Sequence, residues 1–193
     1  FSSPSWLGDD TLLVVGNDDP DADLDPIESE VFSVNLNDLS MRALTSRDGP
    51  DYAPAASADG RRIAFLGYDD KLKSYQQTDL YVMNADGGDV RKISSYPSSS
   101  NPTWSPDGQI IAFDADIDGD NFHELATVEL TGANERVLYD PPGNKSVWAG
   151  SWAPDQSHIG FNEISYARHD QGLFWDKAVI RAWNPDDGAV DLF

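Results

Sequence analysis

The chain has 193 residues, 39% of them hydrophobic, enough to bury a sizeable core in one domain or two. Its 34 acidic residues against 13 basic ones give a formal net charge of -21, which repels phosphate backbones and excludes nucleic acid as an expected partner. It contains no cysteine, which excludes disulfides, thiolate metal sites and a cysteine nucleophile. It also has no apolar run long enough to span a bilayer as a helix.

Most of the acids are Asp, gathered in stretches such as Asn17-Asp18-Asp19-Pro20-Asp21. Asp is a good turn residue because its side chain bonds the local backbone. Adaptation to high salt or a need for solubility is the alternative reading. The lack of disulfides leaves the compartment open, with the periplasm or secretion favoured and the cytoplasm possible. The chain starts at Phe1 with no visible signal peptide, which reads as a processed, truncated or partly ordered product.

In chain order, short β-rich runs alternate with Asp-, Gly- and Pro-rich turns, and they repeat. The first repeat runs from Pro4 through Trp6 and a turn at Asp9 into Leu12–Val15, then Glu30–Val34 and Arg42–Leu44. The second has Pro54 to Gly60, Ile63–Phe65, Asp79–Met83 and Val90–Ile93. The third has Pro102 to Gly108, Ile111–Phe113, Glu124–Val128 and Arg136–Leu138. The fourth has Gly150 to Asp155, Ile159–Phe161, Ala178–Trp183 and Ala189–Leu192.

Three columns stay in register across these repeats. They are Trp6, Ala56, Trp104 and Trp152; Asp9, Asp59, Asp107 and Asp155; and Val15, Phe65, Phe113 and Phe161, all at a spacing of 48 to 50 residues. Within a turn such as Ser105-Pro106-Asp107-Gly108, Pro presets φ, Asp suits the third position and Gly the last. Four antiparallel strands per unit at this period predict an all-β fold, a β-propeller built of four tandem four-stranded blades over residues 1–50, 51–98, 99–146 and 147–193. The aromatic columns are then expected to be packing between blades rather than a ligand cage. Four blades are the low limit for closing a ring. A part of a larger propeller is therefore favoured over a pairing copy or a four-bladed ring, because an open edge exposes unpaired backbone groups.

The second repeat carries more than a generic blade. Arg47-Asp48-Gly49-Pro50-Asp51, Gly67-Tyr68-Asp69-Asp70-Lys71, Tyr75-Gln76, Asp79-Leu80-Tyr81-Val82-Met83 and Asp86-Gly87-Gly88 closely resemble the propeller of bacterial serine peptidases of the prolyl oligopeptidase family, in the acylaminoacyl-peptidase and dipeptidyl-peptidase-like branch. The stretch from Asp21 to Leu36 is similar to the preceding blade of that branch. The resemblance covers residues 12–115 well and the remainder only as generic blades. The Ser-Pro-Asp-Gly and Asp-Leu-Tyr-Val-Met elements alone also resemble TolB-type periplasmic propellers, which bind partner proteins.

The peptidase resemblance implies a cap that limits access to peptides, with Ser, Asp and His supplied by a separate α/β-hydrolase domain. A nucleophile elbow needs G-x-S-x-G so that small residues permit its strained turn. No segment here fits, and in Gly150-Ser151-Trp152 a bulky Trp fills the space. No catalytic residue is expected in this chain. Its partners are expected to be a peptide substrate, through the separate hydrolase domain, or a partner protein in the TolB-like alternative.

Two segments carry candidate sites. Asp114-Ala115-Asp116-Ile117-Asp118-Gly119-Asp120 matches the opening of a calcium loop, where spaced carboxylates wrap a hard cation and Gly permits a sharp turn. Asp114, Asp116, Asp118 and Asp120 are the candidate calcium ligands, against the alternative of a solvated Asp-rich hairpin loop. The twelfth position, where a helix-flanked loop carries Glu, is Leu125, with Glu124 one residue short. The second segment is a long loop expected from Tyr166 to Trp175, in which Tyr166, Arg168, Phe174 and Trp175 are candidates to face a substrate or partner. A self-packed insertion is the alternative. His123, His158 and His169 lack metal-ligand spacing and are expected to be unrelated.

Overall fold

A computed structural model describes residues 2–20, 27–73, 75–169 and 172–192. The described residues contain sixteen β-strands and no helix. They are β1 (Ser2–Trp6), β2 (Thr11–Gly16), β3 (Glu30–Asn35), β4 (Met41–Ala43), β5 (Asp51–Ala56), β6 (Arg62–Gly67), β7 (Asp79–Asn84) and β8 (Arg91–Lys92). They continue as β9 (Ser100–Trp104), β10 (Ile110–Ala115), β11 (Glu124–Glu129), β12 (Arg136–Tyr139), β13 (Lys145–Trp152), β14 (Ile159–His169), β15 (Gly172–Asn184) and β16 (Gly188–Asp191).

Four consecutive strands make each of four antiparallel sheets, in the orders β1-β2-β3-β4, β5-β6-β7-β8, β9-β10-β11-β12 and β13-β14-β15-β16. These are the four blades expected from the repeat. No helix is long and apolar enough to cross a membrane. The chain forms two compact units, Phe1–Ser94 and Ser95–Phe193, each holding two blades.

In the first unit, Leu13 and Val31 pack against Ile63, Phe65, Tyr81 and Met83. In the second, Ala112 and Leu125 pack against Val147, Ile159 and Phe161, with Tyr139, Trp152 and Trp183 at the margin. The closing apolar column, Val15, Phe65, Phe113 and Phe161, is wholly buried. Each buried aromatic of this kind contributes about 1.5–3 kcal/mol relative to exposure. The aromatic column is less uniform. Trp104 is buried and Trp152 packs on the core of its unit, whereas Trp6 is 60% exposed.

The turn chemistry is as the sequence implies. Gly108 N donates to Ser105 O at 2.9 Å, and Asp107 accepts from Ser105 Oγ at 2.7 Å and Gln109 N at 3.0 Å. Asp59 repeats this arrangement with Ser57 Oγ and Arg61 N, whereas Asp155, with Ala153 before it, accepts both its hydroxyl and its amide from Ser157. The hydroxyl and amide donors hold all three carboxyls below the ordinary Asp value.

A further periodic feature lies in the backbone. Each blade's first strand has a bulge against its second strand. In the first three blades a non-glycine residue there takes positive φ: Ser3 at 52°, Ala53 at 50° and Asn101 at 49°, each just before a proline. In the fourth, the bulge falls at Gly150, where a Cβ would stand 2.5 Å from Gly160 O. Bulges increase local twist, as a propeller blade requires.

Candidate functional site

In the second unit, Asp114 lies in β10 and the rest of the Asp-rich segment forms the turn into β11. The structure brings Asp116, Asp118 and Asp120 together, with carboxylate oxygens all within 4.8 Å of one another. Asp116 is buried while the other two are exposed. Each also ties the turn: Asp116 accepts from Gly119 N at 2.9 Å, Asp118 from Asp120 N at 3.1 Å and Asp120 from Phe122 N at 2.8 Å. Three hard oxygens at this separation suit a hard cation such as calcium. Glu124 closes the segment by accepting from Ile117 N at 2.8 Å. Burial pushes Glu124 up to about 7, with Asp118, Asp140 and Asp120 adding to the shift.

Asp114 is turned to a different task. Fully buried, it accepts from Ser100 Oγ, from Asn101 Nδ2 at 2.9 Å and from Ala149 N at 2.8 Å, and it lies 2.9 Å from His123 Nδ1. It therefore stitches β9, β10 and β13 together rather than joining the other three carboxylates. Its strand position explains this: the β10 backbone directs Asp114 inward, whereas the turn directs the later acids to one another. Burial opposes protonation of His123, but the Asp114 carboxylate outweighs it and raises its pKa.

Ser100, His123 and Asp114 are the residue types of a catalytic triad, yet their geometry is wrong for one. The Ser100 hydroxyl lies 3.3 Å from Nδ1, the same ring nitrogen that meets Asp114. A triad needs the serine on one nitrogen and the acid on the other.

Tyr166 to Trp175 does not form the loop expected from the sequence. β14 continues to His169 and β15 begins at Gly172, with Tyr166 opposite Trp175, Ala167 opposite Phe174 and Arg168 opposite Leu173. β13 pairs with β14 only as far as Ser165, so these residues form a two-stranded arm beyond the sheet. Tyr166, Phe174 and Trp175 are residues that favour strands, and pairing with the partner strand gives the segment a regular backbone that its mixed composition does not announce. Trp175 is 64% exposed on this arm, and Leu173 and Phe174 are also exposed. At its base Tyr166 packs on Phe122, ring centroids 5.7 Å apart. The two candidate segments are therefore neighbours in one unit.

A second polar centre, in the first unit, had no role assigned by the sequence. Arg47 donates to Asp51 Oδ1 at 3.0 Å and to Asp69 Oδ1 at 2.6 Å, and its guanidinium lies 3.9 Å from the Tyr81 ring centroid. Tyr81 in turn stacks on Phe65 at 5.4 Å. Asp51 is fully buried, and its Oδ2 has no hydrogen-bond donor among the described residues. Burial pushes Asp51 up to about 7, with Arg47 working against the shift and Glu30 reinforcing it. Backbone packing is equally tight. A Cβ on Gly49, at φ 106°, would lie 2.7 Å from Asp70 N, and one on Gly67 would lie 2.7 Å from Pro50 O. Three of the stretches that carry the family resemblance, Arg47–Asp51, Gly67–Lys71 and Asp79–Met83, thus meet in a single polar knot.

The second unit has a counterpart. Glu163, buried in β14, accepts from Lys145 Nζ at 2.8 Å and from the Tyr139 hydroxyl, and Arg181 Nε is 3.1 Å away. Burial works against its ionisation, but these donors together hold Glu163 below the ordinary carboxylate value. Burial and Glu163 push Tyr139 up to about 12.

Four consecutive four-stranded antiparallel blades define the class: a β-propeller. No protein-family model matches the chain. The chain is 33% identical over 125 residues to the uncharacterized peptidase YuxL of Bacillus subtilis (strain 168), a match covering 62% of this chain and 17% of that protein. It superposes on the structure of a putative TolB from Agrobacterium tumefaciens with a TM-score of 0.70 at 17% identity, over 95% of this chain and 61% of that one. It also superposes on the β-propeller domain of the trilobed protease from Pyrococcus furiosus with a TM-score of 0.65 at 16% identity, over 100% of this chain and 56% of that domain. At such identities the two structures share the fold with this chain, and function must be argued from the sites.

Proposed function

We propose that this chain is the non-catalytic β-propeller region of a serine peptidase of the prolyl oligopeptidase family, and that it gates peptide access to a separate α/β-hydrolase domain. The observation that carries this reading is the 33% identity to a protein described as a peptidase. The polar knot around Arg47 supports it, because the motifs that resemble the peptidase branch act there as one structural unit. The Ser100–His123–Asp114 geometry supports it as well: a hydroxyl and a carboxylate on the same imidazole nitrogen leave no base to activate the serine. Hydrolysis would then belong to another domain. A fluorophosphonate probe tests this. The native polypeptide should be labelled on a serine outside residues 1–193, and the 193-residue chain should not be labelled. Stoichiometric labelling within this chain would overturn the reading.

The arm favours a second reading, a TolB-like propeller that binds partner proteins. An exposed Trp175 beside Leu173 on a projecting hairpin is the kind of rigid apolar feature that anchors an interface.

A further inference from the structure

Against the chain's charge of -21, one cavity gathers positive charge. An open cavity of about 470 Å³ lies between the β6–β7 segment and the ends of β7 and β8, a size suited to a small organic ligand. Three of the chain's five lysines line it, Lys71, Lys73 and Lys92, together with Tyr68, Tyr75 and Gln76.

The two acids at its wall are both engaged. Asp79 accepts from Lys92 Nζ at 2.7 Å, and Asp69 accepts from Arg47 at 2.6 Å. Lys71 and Lys73 are exposed and form no ion pair among the described residues. Their ammonium groups are open to a ligand, while the nearby Asp70 likewise pairs with no cation among the described residues and bonds Leu72 N and Gln76 instead. Hydrogen bonds tie the Asp70 and Gln76 parts of the surrounding segment. Gln76 donates to Asp70 at 2.6 Å and accepts from Lys71 N at 2.9 Å, and Asp70 N reaches back to Asp48 O at 3.0 Å.

We propose that this cavity binds a small organic ligand through a carboxylate, seated between Lys71 and Lys73 with its body against Tyr68 and Tyr75. Lysine supplies compact point charges that suit a carboxylate or a phosphate alike, so the choice between them rests on the surrounding charge. Asp69, Asp70 and Asp79 stand close by, so each extra negative charge on a ligand adds repulsion, which favours a single carboxylate over a phosphate dianion. A short peptide with a free C terminus has this chemistry, and the cavity would take such a ligand whether or not a hydrolase domain accompanies the propeller.

Isothermal titration of the 193-residue chain tests the assignment with three probes: N-acetyl-trialanine with a free carboxylate, the same peptide as its amide, and inorganic phosphate. The carboxylate should bind saturably with a Kd of about 1 mM or tighter, and the amide and phosphate at least tenfold more weakly, a difference of about 1.4 kcal/mol. The double variant Lys71→Gln/Lys73→Gln should lose about tenfold in affinity with an unchanged melting temperature, since both side chains are exposed. Lys177→Gln, in β15 of the other unit, should bind as the parent does. Absence of saturable binding, equal binding of the amide, tighter binding of phosphate, or an unaffected double variant would each overturn the proposal.

Discussion

Arg47 Nη1 stands 3.0 Å from Oδ1 of the fully buried Asp51. The same guanidinium reaches the exposed Asp69 and covers the Tyr81 ring, so one side chain joins three of the motif stretches of the second blade. Arg47→Met should destabilise the first unit by about 3 kcal/mol or more, because it leaves a buried carboxyl without its partner. Asp69→Ala should cost only about 0–1 kcal/mol, since that carboxylate is exposed to water. Urea unfolding at pH 7.5 measures both. At pH 5 the loss in Arg47→Met should shrink, because Asp51 is then readily protonated.

Asp51 and Glu124 give the folded chain an unusual pH dependence. Both carboxyls are raised to about 7 in the fold, from ordinary values of 3.8 and 4.5. The folded state therefore holds more protons than the unfolded state in this window. The associated stability is complete below the ordinary values and is lost as pH rises through about 7. His123, also raised, acts in the same direction. Unfolding free energy should fall between about pH 5 and pH 7.5, and Asp51→Asn should flatten the slope. A profile that rises across this range would contradict the assignment.

Two glycines of the knot should be far less replaceable than a turn glycine. Gly67→Ala drives a methyl against Pro50 O and the Asp51 carboxylate, and Gly49→Ala combines positive φ with a clash at Asp70 N. Each should cost about 2–4 kcal/mol in chemical denaturation. Gly60→Ala, at φ 67° but with nothing within 4 Å, should cost only about 1 kcal/mol.

Calcium is the proposed occupant of the turn formed by Asp116, Asp118 and Asp120. Calcium at a hundred times its Kd should stabilise the chain by about 2.7 kcal/mol, seen as a rise in melting temperature. Asp118→Asn should abolish the rise, whereas Asp114→Asn should lower the melting temperature with or without the ion, because Asp114 ties strands together. A melting temperature independent of calcium would remove the metal from the account.

The fold was legible in the sequence because the blade repeat writes itself into three residue columns. In the last three repeats the turn acids Asp59, Asp107 and Asp155 each accept a serine hydroxyl and a backbone amide, and Phe65, Phe113 and Phe161 are each buried. The bulge residues Ser3, Ala53 and Asn101 share a backbone conformation and a following proline but no side-chain chemistry, so the proline marks the column and the positive φ before it goes unannounced. In the Asp-rich segment the spacing identified three acids that converge, but it could not tell that Asp114 is drawn into the sheet by Ser100, Asn101 and Ala149, which are distant in sequence. The lysines of the β6–β7 segment were equally hard to recognise as a set, since Lys92 joins Lys71 and Lys73 only through the pairing of β7 with β8. Their concentration in an acidic chain was the available signal.

The central claim is that this propeller serves a hydrolase domain elsewhere in the same polypeptide. Intact mass of the native protein, read with its coding sequence beyond Phe193, tests it most directly. The account predicts further blades followed by a domain carrying G-x-S-x-G and then, in chain order, Asp and His. A native polypeptide consisting of blades alone would contradict it and leave a protein-binding propeller in its place.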